Sequence, residues 1–210
     1  MAGAARRSTA EGSSDTARLE AFSDGVMAIA ITLLVLDIHV PSLGPGQTLA
    51  GGLARQWPSY LAFVTSFLTI GIIWANHHRM FKLIARTTWA FLMINVVFLL
   101  VVSVIPFPTS LVADYLRQPH ERATALVVYG ATMTLLAVMF NVLWLYASNG
   151  GRLLVEGYDA ESVRRGTKSY RLGPVLYAAI TLLAFWNAFV TLALFMAFDA
   201  YWLLPGSGPG

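Results

Sequence analysis

The chain has 210 residues, of which 57% are hydrophobic and only 12% are charged. Soluble domains carry about 25% charge, so this composition argues against a soluble enzyme, a nucleic-acid binder and a disordered chain. It leaves an all-α integral membrane protein with room for one membrane domain. There is no cysteine, hence no disulfide, no thiolate nucleophile and no cysteine-bound metal. The isoelectric point of about 9.4 reflects a formal excess of +3. The basic residues sit between apolar runs, where they set orientation in a bilayer first.

Residues 1–17, rich in Ala, Gly, Ser and Thr, read as a flexible tail. They are not a signal peptide, because the apolar segment that follows contains Asp24 and lacks a small-residue cleavage site. About 20 apolar residues cross a bilayer, and on that measure residues 18–204 hold six helices. The first is expected over 18–40, before Pro41 and Pro45. The second is expected over 58–76 and the third over 87–105, ended or kinked by Pro106 and Pro108. The fourth covers 123–147, before Ser148, Asn149, Gly150 and Gly151. The apolar block 172–204 is too long for one ordinary span and is split near Trp186 and Asn187. One long tilted helix is the alternative. Residues 205–210 form a second flexible tail.

Charge placement orients the bundle. Eleven of the 14 Lys and Arg residues fall in the N-terminal region, between helices two and three, and between helices four and five. Only Arg55, Arg117 and Arg122 fall on the other side. This bias puts both termini in the cytoplasm. The loop from Ser148 to Arg171 reads as a solvated linker that also anchors at anionic lipid.

The first helix is the unusual one. Its opening, Arg18-Leu-Glu-Ala-Phe22-Ser23-Asp24-Gly25, places an acid inside a membrane segment, where it needs a partner or water. At 100° per residue, Arg18, Phe22, Ile29, Leu33 and Leu36 share a stripe about 60° wide with Thr32 at its edge. Asp24 points about 140° away from Ile29. The stripe fits ordinary helix packing or lipid contact. Asp24 fits either a structural pair with Arg18 or another cation, or a proton or ion site. The second helix ends Trp74-Ala-Asn76-His77-His78. Adjacent histidines point about 100° apart and do not chelate one metal, so no metal site is expected. They fit a polar helix end, and a network of Arg18, Asp24, Trp74 and His77 or His78 is plausible at the cytoplasmic boundary. There is no Thr-Val-Gly-Tyr-Gly filter, no nucleotide-binding loop, no Arg-rich helix and no pair of broken helices.

The first-helix motif, Arg18-x-x-x-Phe22-Ser23-Asp24, resembles the signature of the transmembrane protein 175 family. Trp74-x-x-His77-His78 and the stretch from Asn95 to Pro106-Phe107-Pro108-Thr109 resemble that family too, in the same order. With one such motif, the chain is similar to the single-repeat prokaryotic form. The resemblance implies a potassium-permeable or potassium-selective channel in a prokaryotic plasma membrane. It implies a homotetramer, with the first helix of each subunit lining a central pore and no cofactor. Ile29 would form the constriction, Leu33 and Leu36 further apolar rings, and Thr32 a polar ring. Arg18, Phe22, Ser23, Asp24, Trp74, His77 and His78 would form the supporting network. Potassium ions, the lipid bilayer and other copies of the chain are then its partners. Two other readings remain at this stage: a proton channel or transporter centred on Asp24 and His77 or His78, and a membrane enzyme or haem protein using one of the histidines.

Overall fold

The computed structural model describes residues 2–203, with side chains from Asp15 onward. The expected tail 205–210 and the side chains of 1–14 lie outside that description. Among the described residues there are eight α-helices: α1 (Ala2–Leu33), α2 (Leu49–Arg55), α3 (Trp57–Lys82), α4 (Trp89–Val104), α5 (Pro106–Tyr115), α6 (Arg122–Ser148), α7 (Ala160–Leu182) and α8 (Ala188–Leu203). Four continuous stretches are long and apolar enough to cross a membrane: Asp15–Asp37, Trp57–Lys82, Trp89–Tyr115 and Arg122–Gly151. Helix α8 is a shorter apolar helix.

Several boundaries differ from the sequence reading, each for a local reason. Helix α1 tightens into a 3-10 turn over Leu34–Asp37 and stops before residue 40. Helix α3 runs on to Lys82, so His77 and His78 lie within it rather than at its end. Pro106 opens α5 at its first position, where an N–H has no partner within the helix and its absence costs little. The prolines end α4 at Val104, as expected, and α5 continues the apolar stretch to Tyr115. Helix α7 begins at Ala160, far ahead of the apolar block. Asp159 caps it by accepting from the Glu161 and Ser162 amides. The Ser162 hydroxyl and those amides hold the Asp159 carboxyl below the ordinary carboxylate range. The expected break near Trp186 and Asn187 is present. A 3-10 turn over Leu183–Phe185 ends α7, and the Asn187 side chain accepts from the Phe189 and Val190 amides to start α8.

Helix α6 packs against α4, α5, α7 and α8, while α1 packs against α3 and α4. Lipid tails are as apolar as leucine, so these contacts rest on close packing and interhelical hydrogen bonds. Gly130 of α6 shows the first. A Cβ there would collide with the Thr181 side chain of α7. Pro174 shows the second. It lies inside α7 and cannot donate to the carbonyl four residues back, that of Tyr170. The Asn141 amide of α6 donates to that carbonyl at 2.7 Å. One helix thus repairs the backbone defect of its neighbour.

The loops sort the charges. The chain between α3 and α4 pairs with the chain between α6 and α7. Ala85 N–H donates to Leu153 O at 2.8 Å, and Val155 N–H to Leu83 O at 2.9 Å. The Arg86 guanidinium donates to Arg152 O. Arg79, Lys82, Arg86 and Arg152 are thereby gathered at one end. At the other end Arg117 donates to Arg55 O at 3.4 Å, and Arg122 lies 5.4 Å from the Phe189 ring centre.

The Asn141–Pro174 pairing gives a test. Asn141→Leu leaves the buried Tyr170 carbonyl without a donor and should cost about 1–3 kcal/mol. Adding Pro174→Ala restores a backbone donor and should recover much of that loss. Thermal unfolding in detergent reads the cycle. Purely additive effects would show that the two residues do not act together.

Candidate functional site

The site is built on α1, which has two unlike faces. Leu19, Ser23, Met27, Ala30 and Leu34 are buried against the bundle. Arg18, Phe22, Ile29, Thr32, Leu33 and Leu36 are exposed. Within the single chain Ile29 keeps 61% of its surface and Leu36 keeps 66%, values shared by Leu100 of α4 and Val175 of α7. All the stripe residues therefore face away from their own subunit. Thr32 donates its hydroxyl to Ile29 O at 2.9 Å, which leaves the oxygen lone pairs free to meet an ion or water.

Polar bonds hold the other face. Ser23 donates to Leu19 O at 2.9 Å and accepts from the Asn95 amide of α4 at 2.9 Å. The Asn95 carbonyl meets His77 Nε2 of α3 at 3.1 Å. Ser23, Asn95 and His77 are all fully buried, so α1, α3 and α4 are joined by a chain shut off from water. His77 is further fixed between Phe81 and Phe98, with ring centres 4.3 and 5.6 Å away. Nearer the surface, the Trp74 indole donates to Asp24 Oδ1 at 2.9 Å. His78 Nδ1 meets Glu20 Oε1 at 2.7 Å, and the Trp74 and His78 rings stack at 6.0 Å. At the far end of α1, Asp37 accepts from the Ser110 hydroxyl of α5 at 2.7 Å.

The residues expected to form one network make distinct contacts. Asp24 meets Trp74, His77 meets Ser23 through Asn95, and His78 meets Glu20. Asp24 does not pair with Arg18, which is exposed and has no ion-pair partner among the described residues. Phe22 is exposed within the single chain. Among the described residues no group of acids and histidines is arranged to hold a metal.

Sequence reasoning missed four contributors. Glu20 and Ser110 carried no signal beyond being polar near a membrane helix. Asn95 carried one, as a lone amide in the apolar run of α4. Asp199 carried a stronger one, as an acid within the final apolar block. It is buried and accepts from the Thr69 hydroxyl at 2.8 Å. Close by, Ser66 bonds Thr109 at 2.7 Å and donates to Tyr129 at 3.2 Å. This second cluster ties α3 to α5, α6 and α8 and does not touch the α1 stripe.

Replacing Asn95 with leucine leaves His77 Nε2 without its partner, while Ser23 loses the Asn95 donor but keeps its bond to Leu19 O. The change should lower stability by about 1–3 kcal/mol. Trp74→Phe breaks an exposed bond and should cost less. Thermal denaturation followed by size-exclusion chromatography compares them. Equal midpoints for Asn95→Leu and the parent would show that the buried chain contributes nothing.

Three comparisons bear on this arrangement. The family described as endosomal/lysosomal potassium channel TMEM175 matches residues 18–106, the part that holds the stripe and its supports. A potassium channel of Chamaesiphon minutus is 45% identical over 193 residues, covering 91% of this chain and 95% of that protein. The crystal structure of a lysosomal potassium-selective channel TMEM175 homologue from Chamaesiphon minutus superposes with a TM-score of 0.81 at 43% identity, covering 90% of this chain and 96% of the other. The endosomal/lysosomal proton channel TMEM175 of Bos taurus is 32% identical over 80% of this chain but only 36% of its own length. The four membrane-length helices and these matches make the chain an integral membrane protein, and it belongs to the TMEM175 family.

Proposed function

We propose that the chain is a passive potassium-permeable and potassium-selective channel. It assembles as a homotetramer around a pore lined by α1 of each subunit. The observation that carries this is the exposed stripe of Ile29, Leu33 and Leu36 on a helix whose opposite face is bolted down by buried polar bonds. Such anchoring suits a pore helix, because the position of its side chains sets the width of the opening. The names of the bacterial relatives support the choice of potassium.

In this reading each subunit contributes six spans. Helices α1, α3, the α4–α5 pair and α6 supply four, and the apolar part of α7 with α8 supplies two more. The end rich in Arg and Lys lies in the cytoplasm with both termini, in a prokaryotic plasma membrane. Ile29 forms the narrowest ring. Four isoleucines offer no ligand to replace the hydration shell of potassium, so this ring gates by dewetting. Thr32, with its free lone pairs, is the polar ring beside it. Arg18 and Phe22 sit on the same side of α1 at the cytoplasmic mouth, and the buried bonds of Ser23, Asp24, Trp74, His77 and His78 keep the helix in register.

A second reading is a proton pathway through Asp24 and His77 or His78. It draws on the acid and the buried histidine that contact α1, and on the name of the animal relative.

Flux into liposomes carrying a potassium gradient separates the two. Ile29→Asn should raise potassium flux several-fold, because a polar ring stays wet. Asp24→Asn should leave potassium flux in place and lower stability. Unchanged flux in Ile29→Asn removes that residue from the pore. Loss of proton flux in Asp24→Asn with assembly intact favours the proton pathway.

A further inference from the structure

A mainly apolar cleft opens between α3, α6, α7 and α8, on the side of α3 away from α1. Its interior is apolar and aromatic, with Ile72 and Ile73 of α3, Phe140 of α6, Tyr177 of α7 and Phe198 of α8. Its polar groups gather towards the basic end of the bundle, where Ser169 and Tyr170 of α7 meet Trp202 at the end of α8. Arg79 lies one helical turn beyond Asn76, itself a lining residue of α3. Arg79 is exposed and has no hydrogen-bond or ion-pair partner among the described residues. Lys168 is also exposed and lies next to Ser169 in sequence.

We infer that this cleft is a binding site for an acidic phospholipid. One acyl chain lies among the aromatic side chains, and the phosphate sits on Arg79, with Lys168 beside it. Three features select this occupant. The lining is mainly aliphatic and aromatic, with Ile72, Ile73, Met133, Leu136, Phe140 and Phe198, and suits hydrocarbon. The mouth supplies cations, and the lining of the cleft holds no carboxylate; Asp199, next to Phe198, is buried and accepts from Thr69. The exposed surface of α7 changes from Arg164, Lys168 and Arg171 to Leu172, Val175 and Leu176 within one turn of the mouth. That change marks where headgroups give way to tails. A guanidinium matches a phosphate with two parallel N–H bonds, and anionic lipid enriches the cytoplasmic leaflet near such residues. The inference rests on the membrane placement of the chain and not on its conducting potassium.

Native mass spectrometry of the detergent-solubilised protein tests it. Phosphatidylglycerol and phosphatidylcholine with identical acyl chains are the probes. The expected result is at least a threefold preference for phosphatidylglycerol, lost in Arg79→Ala and largely restored in Arg79→Lys. Ala137→Leu, which narrows the cleft, should reduce binding of both lipids. If that variant misfolds, Met133→Phe serves the same purpose. Arg55→Ala, at the opposite end, should change nothing. Equal binding of the two lipids, or a preference that survives Arg79→Ala, would overturn the site.

Discussion

The structure depends on one buried hydrogen-bond chain, Ser23–Asn95–His77. In a bilayer, apolar side chains gain nothing by leaving lipid for one another. A membrane helix is therefore located by its few polar contacts and by the closeness of its packing. The chain from Ser23 to His77 sits where both apply. It fixes α1 to α3 and α4 in rotation and in height, and the stacked Phe81 and Phe98 rings leave His77 no other position. Once Ser23 faces inward, the helical repeat sends Ile29, Leu33 and Leu36 outward. The exposed stripe is the geometric consequence of that anchor.

The same logic recurs through the bundle. Asn141 supplies the donor that Pro174 cannot replace. Asp199 joins α8 to α3 through the Thr69 hydroxyl. Asp37 and Ser110 close the far end of α1. These polar groups meet a neighbouring helix, while others, such as Ser103 and Thr132, bond a carbonyl of their own helix. At the basic end Arg79, Lys168 and Arg171 remain exposed and face the headgroup region.

Much of this was legible from residue types alone. An acid and a serine inside an apolar run single out α1, and a 3.6-residue period places the stripe on one face. The break before α8 was legible because Asn187 is a good N-cap in the middle of a block too long for one span. The start of α7 was not. Residues 160–171 are polar, and their helix depends on the Asp159 cap and on packing against α6, neither of which periodicity reveals. The end of α3 was missed for a similar reason, since polar residues near a membrane boundary look like a loop when they are helix. The pairing within the site was the least legible. Residue types named Asp24, Trp74 and both histidines, but only three-dimensional packing joins Asp24 to Trp74, and His77 to Ser23 through Asn95.

The central claim is that α1 faces its own copies around an axis. The chain contains no cysteine, so single cysteines can be introduced on a silent background. The decisive measurement is oxidative cross-linking in native membranes of Ile29→Cys beside Leu182→Cys, a residue exposed on the outside of α7. The account predicts covalent dimers for Ile29→Cys and monomers for Leu182→Cys. Monomers for Ile29→Cys, from protein that still assembles, would contradict it and return the stripe to the lipid.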